Sequence, residues 1–162
     1  MHPVLVLKLL LLLLLANGAP VILKDCLGRR FAYPLDGGLR LGDGRPLFGE
    51  SKTVRGIVLS LGVTSAGAQL IGLGWKIGLL VSSVAMAGDI CSSFVKRRIR
   101  LPAGARATGL DQIPESLLPL LACRVALSLT ALDIGAGVVS FFVGEMLISM
   151  LLCRFGLREH PY

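Results

Sequence analysis

Apolar residues along the chain fall into five long runs, separated by segments that are rich in glycine, proline and charge. The runs lie at about residues 1–16, 56–74, 77–95, 113–131 and 134–153. Most of them approach the roughly 20 residues that a helix needs to cross a hydrocarbon core of about 30 Å. Because lipid offers no partner for a backbone polar group, such runs are predicted to be helical. The pattern therefore predicts an all-α integral membrane protein, a bundle of about five transmembrane helices.

The composition agrees with a membrane domain and leaves little room for anything else. Hydrophobic residues make up 54% of the 162 residues and charged residues only 17%, and the mean hydropathy is +0.76. Five spans leave too few residues for a soluble domain with its own core. We therefore expect a single membrane domain over residues 1–162, with two longer loops at about 17–55 and 96–112.

The first run combines features of a membrane helix and of a cleavable secretory signal. It is nearly pure leucine, and it stops at the Ala-Asn-Gly-Ala-Pro segment of residues 16–20. A signal carries its positive charge ahead of the apolar core, whereas Lys8 lies inside this one and only His2 precedes it. Retention as a first helix is therefore favoured over cleavage, and both alternatives leave the same loops on the same side.

Basic residues indicate the orientation of the bundle. The two longer loops carry seven and five Lys or Arg, and Arg154 and Arg158 follow the last run, while the opposite side has little beyond Lys76. Such an excess favours the cytoplasmic side. We expect a multi-pass protein of the inner (cytoplasmic) membrane, with both loops and the active site facing the cytoplasm. Nucleic acid is not the expected partner despite a net charge of +7, because no aromatic residues interleave with the basic ones.

The clearest candidate for chemistry is an acid inside the third run. Asp89, Ser92, Ser93 and Lys96 follow one another at i, i+3, i+4 and i+7, which places them on one face of a helix. At 1.5 Å per residue, Asp89 lies roughly 10 Å deeper in the membrane than Lys96. A carboxylate at that depth costs several kcal/mol unless a cation is beside it.

The residues alone leave two cations open as the partner of Asp89. One is Arg124 on the neighbouring span, in a pair that would only hold the bundle together. The other is a bound Mg²⁺. Because Arg124 can instead pair with Glu145 at a comparable depth, Asp89 would then remain for the metal.

The first long loop has the composition of an anion site. Residues 43–56 place glycines beside three cations, just ahead of a helix start that we predict near Thr53. We expect phosphate to be the anion that this segment binds. The alternative is that the segment is a solvated basic loop that only determines the membrane topology. Asp111 ends the second loop directly before a span, where it could add a second carboxylate for Mg²⁺ or simply cap the helix.

Taken in order along the chain, these blocks resemble the CDP-archaeol synthase family, a relative of the CDP-diacylglycerol synthases. The resemblance covers most of the chain, and the ordered combination of blocks is more specific than any one block. The sequence departs from the family at Glu50, where Asp is more frequent, and at Ile113-Pro114-Glu115, where archaeal members usually show a further Asp. The matching blocks are residues 16–20, 34–38, 49–56, Gly88-Asp89 with Ser92, Ser93, Lys96 and Arg97, and 110–112.

The resemblance implies a Mg²⁺-dependent transfer of a cytidylyl group from CTP to a membrane lipid phosphate, giving a CDP-lipid and pyrophosphate. It implies catalytic roles for Asp89, Lys96 and Asp111, with Asp89 and Asp111 as metal ligands. Both an isoprenoid ether and a diacyl lipid phosphate stay open as the acceptor, and the oligomeric state is not indicated. The implied substrate-binding residues are Asp36, Gly37, Gly38, Gly49, Ser51, Lys52, Thr53, Arg55, Ser92, Ser93 and Arg97.

The competing hypothesis is a small non-catalytic polytopic protein, either a scaffold or an ion-conducting bundle. In such a protein Asp89, Arg124 and Glu145 would form a buried polar network. A scaffold has no need of the Asp-Gly-Gly segment at 36–38 or of the glycine-rich segment at 49–55. The loop chemistry therefore favours the enzyme.

Overall fold

The computed structural model describes residues 1–28, 30–102, 105 and 107–154, without the side chains of residues 152 and 153. Within these residues the chain forms five α-helices and no β-strand, which confirms the predicted all-α membrane fold. Three of the described helices are long and apolar enough to cross a membrane. The helices are α1 (Pro3–Leu27), α2 (Val54–Leu70), α3 (Trp75–Arg98), α4 (Gln112–Ala122) and α5 (Ala131–Arg154).

Helix α3 lies at the centre of the bundle. It packs against α1, α2 and α4, and α5 packs against α1 and α4. Leu12 and Leu13 of α1, together with Val81 and Ala85 of α3, are almost completely buried in the shared core. We call the end that carries residues 28–53 and 99–111 the loop end, and the end that carries residues 71–74 and 123–130 the turn end.

Helix α1 continues to Leu27, past the predicted end of the first span at residue 16. Pro20 has no N–H for the Ala16 carbonyl, a loss that ordinarily interrupts a helix. The Ser60 hydroxyl of α2 donates to that carbonyl at 2.8 Å, as hydroxyls commonly do for prolines in membrane helices. Gly56 allows this approach, because a Cβ there would lie 3.3 Å from Pro20 Cβ. The first loop therefore begins at residue 28 rather than at 17.

The predicted fourth span, residues 113–131, is divided between a short helix and a turn segment. Helix α4 ends at Ala122, and the following residues form turns in which Ser128 has a φ of 52°. A left-handed residue cannot continue a right-handed helix. Arg124 lies exposed in this segment at the turn end, so it does not partner Asp89, which contacts Lys52 instead.

The side of the membrane that the loop end faces stays a prediction. Arg29, Arg106 and Arg158, which contribute to the basic excess, lie outside the described residues.

Candidate functional site

Residues 31–53 form an ordered loop that is anchored on the Asp36 carboxylate. Its Oδ1 accepts the Gly38 N–H at 3.0 Å, and its Oδ2 accepts those of Phe48 at 2.9 Å and Gly49 at 3.0 Å. Gly38 has a φ of 81°, a conformation that favours glycine. Burial raises the pKa of Asp36, but the three backbone donors outweigh it and hold that pKa below its ordinary value. Asp36 therefore shapes the glycine-rich segment from within.

The same loop fixes the backbone of Lys52 at the entrance of α2. The Lys52 carbonyl accepts the Leu35 N–H at 2.8 Å. The next residue, Thr53, is the N-cap of α2, and its side chain accepts the Gly56 N–H at 3.3 Å, which satisfies one of the free donors of the first turn. Lys52 is therefore held where its side chain meets α3.

The Lys52 ammonium forms an ion pair with Asp89 of α3. Both side chains are mostly buried, with 17% and 20% of their surface exposed. Gly88 brings α4 against this point, since a Cβ at Gly88 would lie 2.7 Å from the Pro114 carbonyl oxygen. The glycine before Asp89 is thus required for close helix packing.

Glu115 of α4 is a further acid at this point, and the sequence analysis did not select it. Its carboxyl is buried and interacts with Asp89, with Glu145 and Lys52 also close enough to act on it. Asp89 and Glu115 therefore both interact with the Lys52 ammonium inside the bundle. Such a group stays ionised only where cations are available to it.

One face of α3, which carries Asp89 and Lys96, packs against the start of α4, which carries Asp111 and Glu115. Asp89 and Lys96 are seven residues apart on α3, and Asp111 and Glu115 lie four apart, at the start of α4 and in its first turn. In the antiparallel packing, the deeper Asp89 meets Glu115, and the outer Lys96 meets Asp111. The i, i+4 spacing from Asp111 is the signal by which Glu115 could have been found.

Lys96 holds the second loop onto the end of α3. Its ammonium lies 2.8 Å from Asp111 Oδ1, and it donates to Asp111 Oδ2 and to the Ala105 carbonyl, each at 3.0 Å. Asp111 Oδ2 also accepts the Ala107 N–H at 3.1 Å. Although Asp111 precedes α4, its side chain makes no capping hydrogen bond, so its carboxylate serves the ion pair.

Arg97 is a buried cation, and two of its guanidinium nitrogens have no hydrogen-bond acceptor in the part of the chain that the structure describes. Only 4% of its surface is exposed, and its Nε and Nη1 atoms have no hydrogen-bond partner. A buried polar group without a partner is costly, which indicates a site made for an anion. Arg97 opens onto a cavity of about 470 Å³, whose lining is Arg45, Pro46, Arg97, Arg100, Leu101 and Pro102.

Arg98 joins the first loop to the end of α3 beside this cavity. It donates to Asp43 Oδ2 at 2.6 Å and to the Pro46 carbonyl at 2.7 Å. In return, Arg45 donates to the Arg98 carbonyl at 2.7 Å. The first loop is therefore fastened to the last turn of α3, and the cavity lies between them.

Other predicted substrate residues lie in local structural roles. Arg55 donates to the carbonyls of Gly28, at 2.5 Å, and of Arg30, and thus caps the end of α1 rather than entering the centre. Ser92 donates to the Asp89 carbonyl of its own helix at 3.0 Å. The remaining ones are Ser93, which is buried on α3, the exposed Gly37 and Ser51, and Thr53, which caps α2.

The acids of the site are too few to enclose a metal ion without further ligands. The described residues contain no group of three or more His, Cys, Asp or Glu that could hold an ion unaided. Asp89 and Asp111, the two predicted ligands, lie in separate ion pairs. Mg²⁺ usually takes one or two carboxylates and completes its shell with phosphate oxygens and water. Asp89 with the adjacent Glu115 meets that requirement.

Comparison with known proteins gives a consistent result. Residues 61–162 match the family model described as CarS-like, CDP-archaeol synthase. The chain is 32% identical over 155 residues to the CDP-archaeol synthase of Sulfurisphaera tokodaii, an alignment that covers 92% of this chain and 90% of the relative. It is 34% identical over 165 residues to that of Aeropyrum pernix, with 95% and 89% covered.

A solved structure is similar as well. It is described as an intramembrane enzyme for archaeal membrane lipid biosynthesis, and it matches with a TM-score of 0.70 and 27% identity over 88% of this chain and 91% of that chain.

Proposed function

The chain belongs to the CDP-archaeol synthase family of membrane enzymes, and we propose that it transfers the cytidylyl group of CTP to a membrane lipid phosphate in a Mg²⁺-dependent reaction. The observation that carries this proposal is the meeting of an acid pair, Asp89 and Glu115, with the Lys52 ammonium. The loop end that supplies Lys52 also carries an arginine-lined cavity. Acids for a metal and cations for phosphates are what a nucleotide and a lipid phosphate require together.

The reaction asks little of the protein beyond positioning and charge. A lipid phosphate is already an anionic nucleophile at neutral pH. One of its oxygens forms a bond to the α-phosphorus of CTP, and the bond between that phosphorus and the pyrophosphate breaks. Holding two anions in line and neutralising their charge supplies most of the catalysis in phosphoryl transfers. Residues that donate to phosphate oxygens are therefore the expected machinery.

In this proposal each part of the site has one task. Lys52 and Arg97 donate to phosphate oxygens, since both lie mostly buried at the loop end. Asp89 and Glu115 are the acids for Mg²⁺, which when bound neutralises phosphate charge. Lys96 with Asp111 keeps the second loop in place, and Asp111 is the nearest further carboxylate.

The glycine-rich segment contributes backbone rather than side chains. Asp36 accepts the Phe48 and Gly49 N–H groups, so it determines the path of the chain that leads to Lys52. We therefore assign Asp36, Gly37, Gly38 and Gly49 to the shape of the nucleotide pocket, where glycine permits close approach of a ligand.

We also propose that the loop end faces the cytoplasm and that residues 1–162 form one membrane domain. The basic excess of the loops supports the orientation, and the shared core of all five helices supports the single domain. The names of the relatives favour an acceptor that gives CDP-archaeol, an isoprenoid lipid. A diacyl lipid phosphate is the competing acceptor, because the chain continues with Ile113-Pro114-Glu115 where archaeal members usually show a further Asp.

The test is a transfer assay with purified enzyme in detergent or lipid vesicles. Labelled CTP, Mg²⁺ and a panel of isoprenoid and diacyl lipid phosphates are supplied, and label is followed into the lipid phase. We expect a CDP-lipid with at least one acceptor and none when EDTA removes the metal. An Asp25→Asn variant, changed at an exposed acid of α1, is the matched control. A folded enzyme that labels no acceptor would overturn the proposal.

A further inference from the structure

The two lysines of the site differ in how firmly they are held. Lys96 has the Asp111 carboxylate on one side and the Ala105 carbonyl on the other, and its side chain is 8% exposed. Lys52 contacts the Asp89 carboxylate, and its side chain is 17% exposed. Lys52 is therefore the more accessible of the two ammonium groups.

The ion pair of Lys52 also joins two groups with different tasks. In the proposed reaction Lys52 donates to nucleotide phosphates, and Asp89 is an acid for the divalent cation. While Lys52 contacts Asp89 Oδ2, a divalent cation that binds this oxygen must compete with the ammonium.

We propose that Lys52 is an exchangeable counter-ion, which neutralises Asp89 in the nucleotide-free enzyme and moves to the nucleotide phosphates when the divalent cation takes its place. This inference rests on the proposed function and deepens it. Neither the divalent cation nor the nucleotide binds favourably without the other. A divalent cation without nucleotide must compete with Lys52 for Asp89, and a nucleotide without metal draws Lys52 away and leaves Asp89 beside Glu115 with no cation. Two buried acids without a cation are costly.

The consequence is reciprocal coupling between metal and nucleotide. By linkage, if nucleotide tightens the binding of the cation, the cation tightens the binding of nucleotide by the same factor. An exchangeable Lys52 thus favours binding of the cation and the nucleotide together. It also keeps the acids of the resting enzyme from holding a divalent ion on their own.

The experiment measures Mn²⁺ binding to the nucleotide-free enzyme by the paramagnetic resonance signal of free Mn²⁺. Lys52→Met removes the competing ammonium and keeps the length of the side chain. We expect Mn²⁺ to bind on the order of tenfold more tightly to this variant than to the wild type, within the range typical of coupled sites. Lys52→Arg keeps the charge and should restore weak binding. Lys76→Met, at the turn end, should leave the affinity unchanged.

A second variant and a second readout guard against a folding defect. Lys52→Gln should tighten Mn²⁺ binding in the same direction, and in both neutral variants Mn²⁺ should raise Tm more than it does in the wild type. Adding Asp89→Asn should abolish the gain, which assigns the ion to Asp89. A variant that binds Mn²⁺ no more tightly than the wild type would overturn the exchange.

The Mn²⁺-binding experiment and the test of the proposed function can succeed or fail independently. Transfer of label from CTP to lipid is measured on the wild-type enzyme alone. Wild-type transfer with unchanged Mn²⁺ affinity in the Lys52 variants would reject the exchange and keep the reaction. Tighter Mn²⁺ binding in the variants without any wild-type transfer would reject the reaction and leave the Lys52 competition established.

Discussion

Asp133 at the turn end and Asp89 towards the loop end are satisfied by different kinds of donor. At the turn end, Asp133 Oδ1 accepts the His2 N–H at 2.6 Å, and Oδ2 accepts the Thr130 N–H at 3.0 Å and its hydroxyl at 2.7 Å. At the loop end, Asp89 contacts the Lys52 ammonium and lies beside another acid, Glu115.

The difference separates an acid that maintains the fold from one that is available to ligands. The donors of Asp133 belong to His2 and Thr130, the residues directly before α1 and α5. Their backbone N–H groups cannot leave without moving the chain where it enters a helix. The ammonium of Lys52 is carried on a flexible four-carbon stem and can move without disturbing the backbone. Donor type therefore distinguishes the two roles, and burial differs in the same direction, because 0% of the Asp133 side chain and 20% of the Asp89 side chain are exposed.

The largest expected effect comes from removing the charge of Asp89. Asp89→Asn keeps the size of the side chain but loses the acid for Mg²⁺, so transfer from CTP to lipid should fall by at least about a hundredfold, a typical loss for a group that stabilises transition-state charge. The labelled-CTP assay measures this fall. Product formed at the wild-type rate by Asp89→Asn would remove Asp89 from the site.

Removing the carboxylate of Asp133 at the turn end should lower stability and leave the transfer activity nearly unchanged. Asp133→Ala leaves the His2 and Thr130 N–H groups without an acceptor, so Tm in detergent should fall by several degrees. Transfer activity per folded molecule, measured below that Tm, should stay near the wild-type value. A strong loss of activity without loss of stability would contradict the division between the two ends.

A smaller effect is expected where α3 and α4 meet. Gly88→Ala places a Cβ 2.7 Å from the Pro114 carbonyl oxygen, a backbone atom that cannot rotate away, so α4 must move and Glu115 with it. We expect a stability loss of about 1–3 kcal/mol and slower transfer. Gly135→Ala, with nothing within 4 Å of its Cβ, is the control and should be neutral or slightly stabilising. Equal results for both variants would argue against close packing at Gly88.

The smallest effect concerns the first loop and its dependence on pH. The pKa of Asp36 is lower in the folded loop than in an unfolded chain, so its ionised form stabilises the loop at neutral pH, and this contribution is lost as pH falls through the folded pKa. Asp36→Asn should therefore be cleaved faster by protease in residues 31–53 at pH 7. The difference from the wild type should shrink only as pH falls below the ordinary range of an aspartate and through the lower pKa of the folded loop. Equal cleavage rates at pH 7 would contradict the anchoring role.

Much of the site could be predicted from spacing within one helix, and much less from relations between segments. The face shared by Asp89 and Lys96 follows from 3.6 residues per turn. The pairing of Asp89 was left open between Arg124 and a metal, and the structure places Lys52 there, 37 residues away in the chain. Glu115 was noticed only as a departure from the family, because its importance depends on which helix packs beside Asp89.

By itself, the sequence determined a membrane-spanning helical class, the residues that carry charge and the helix face that each occupies. These properties depend on local periodicity and on the free energy that it costs to place polar groups in lipid. Only the tertiary structure decided that Ser60 supports α1 past Pro20, that Asp36 is enclosed by backbone donors, and that Lys52 and Glu115 meet at Asp89. Contacts of this kind depend on the distance between packed helices. A glycine or proline that is distant in the sequence can determine this distance.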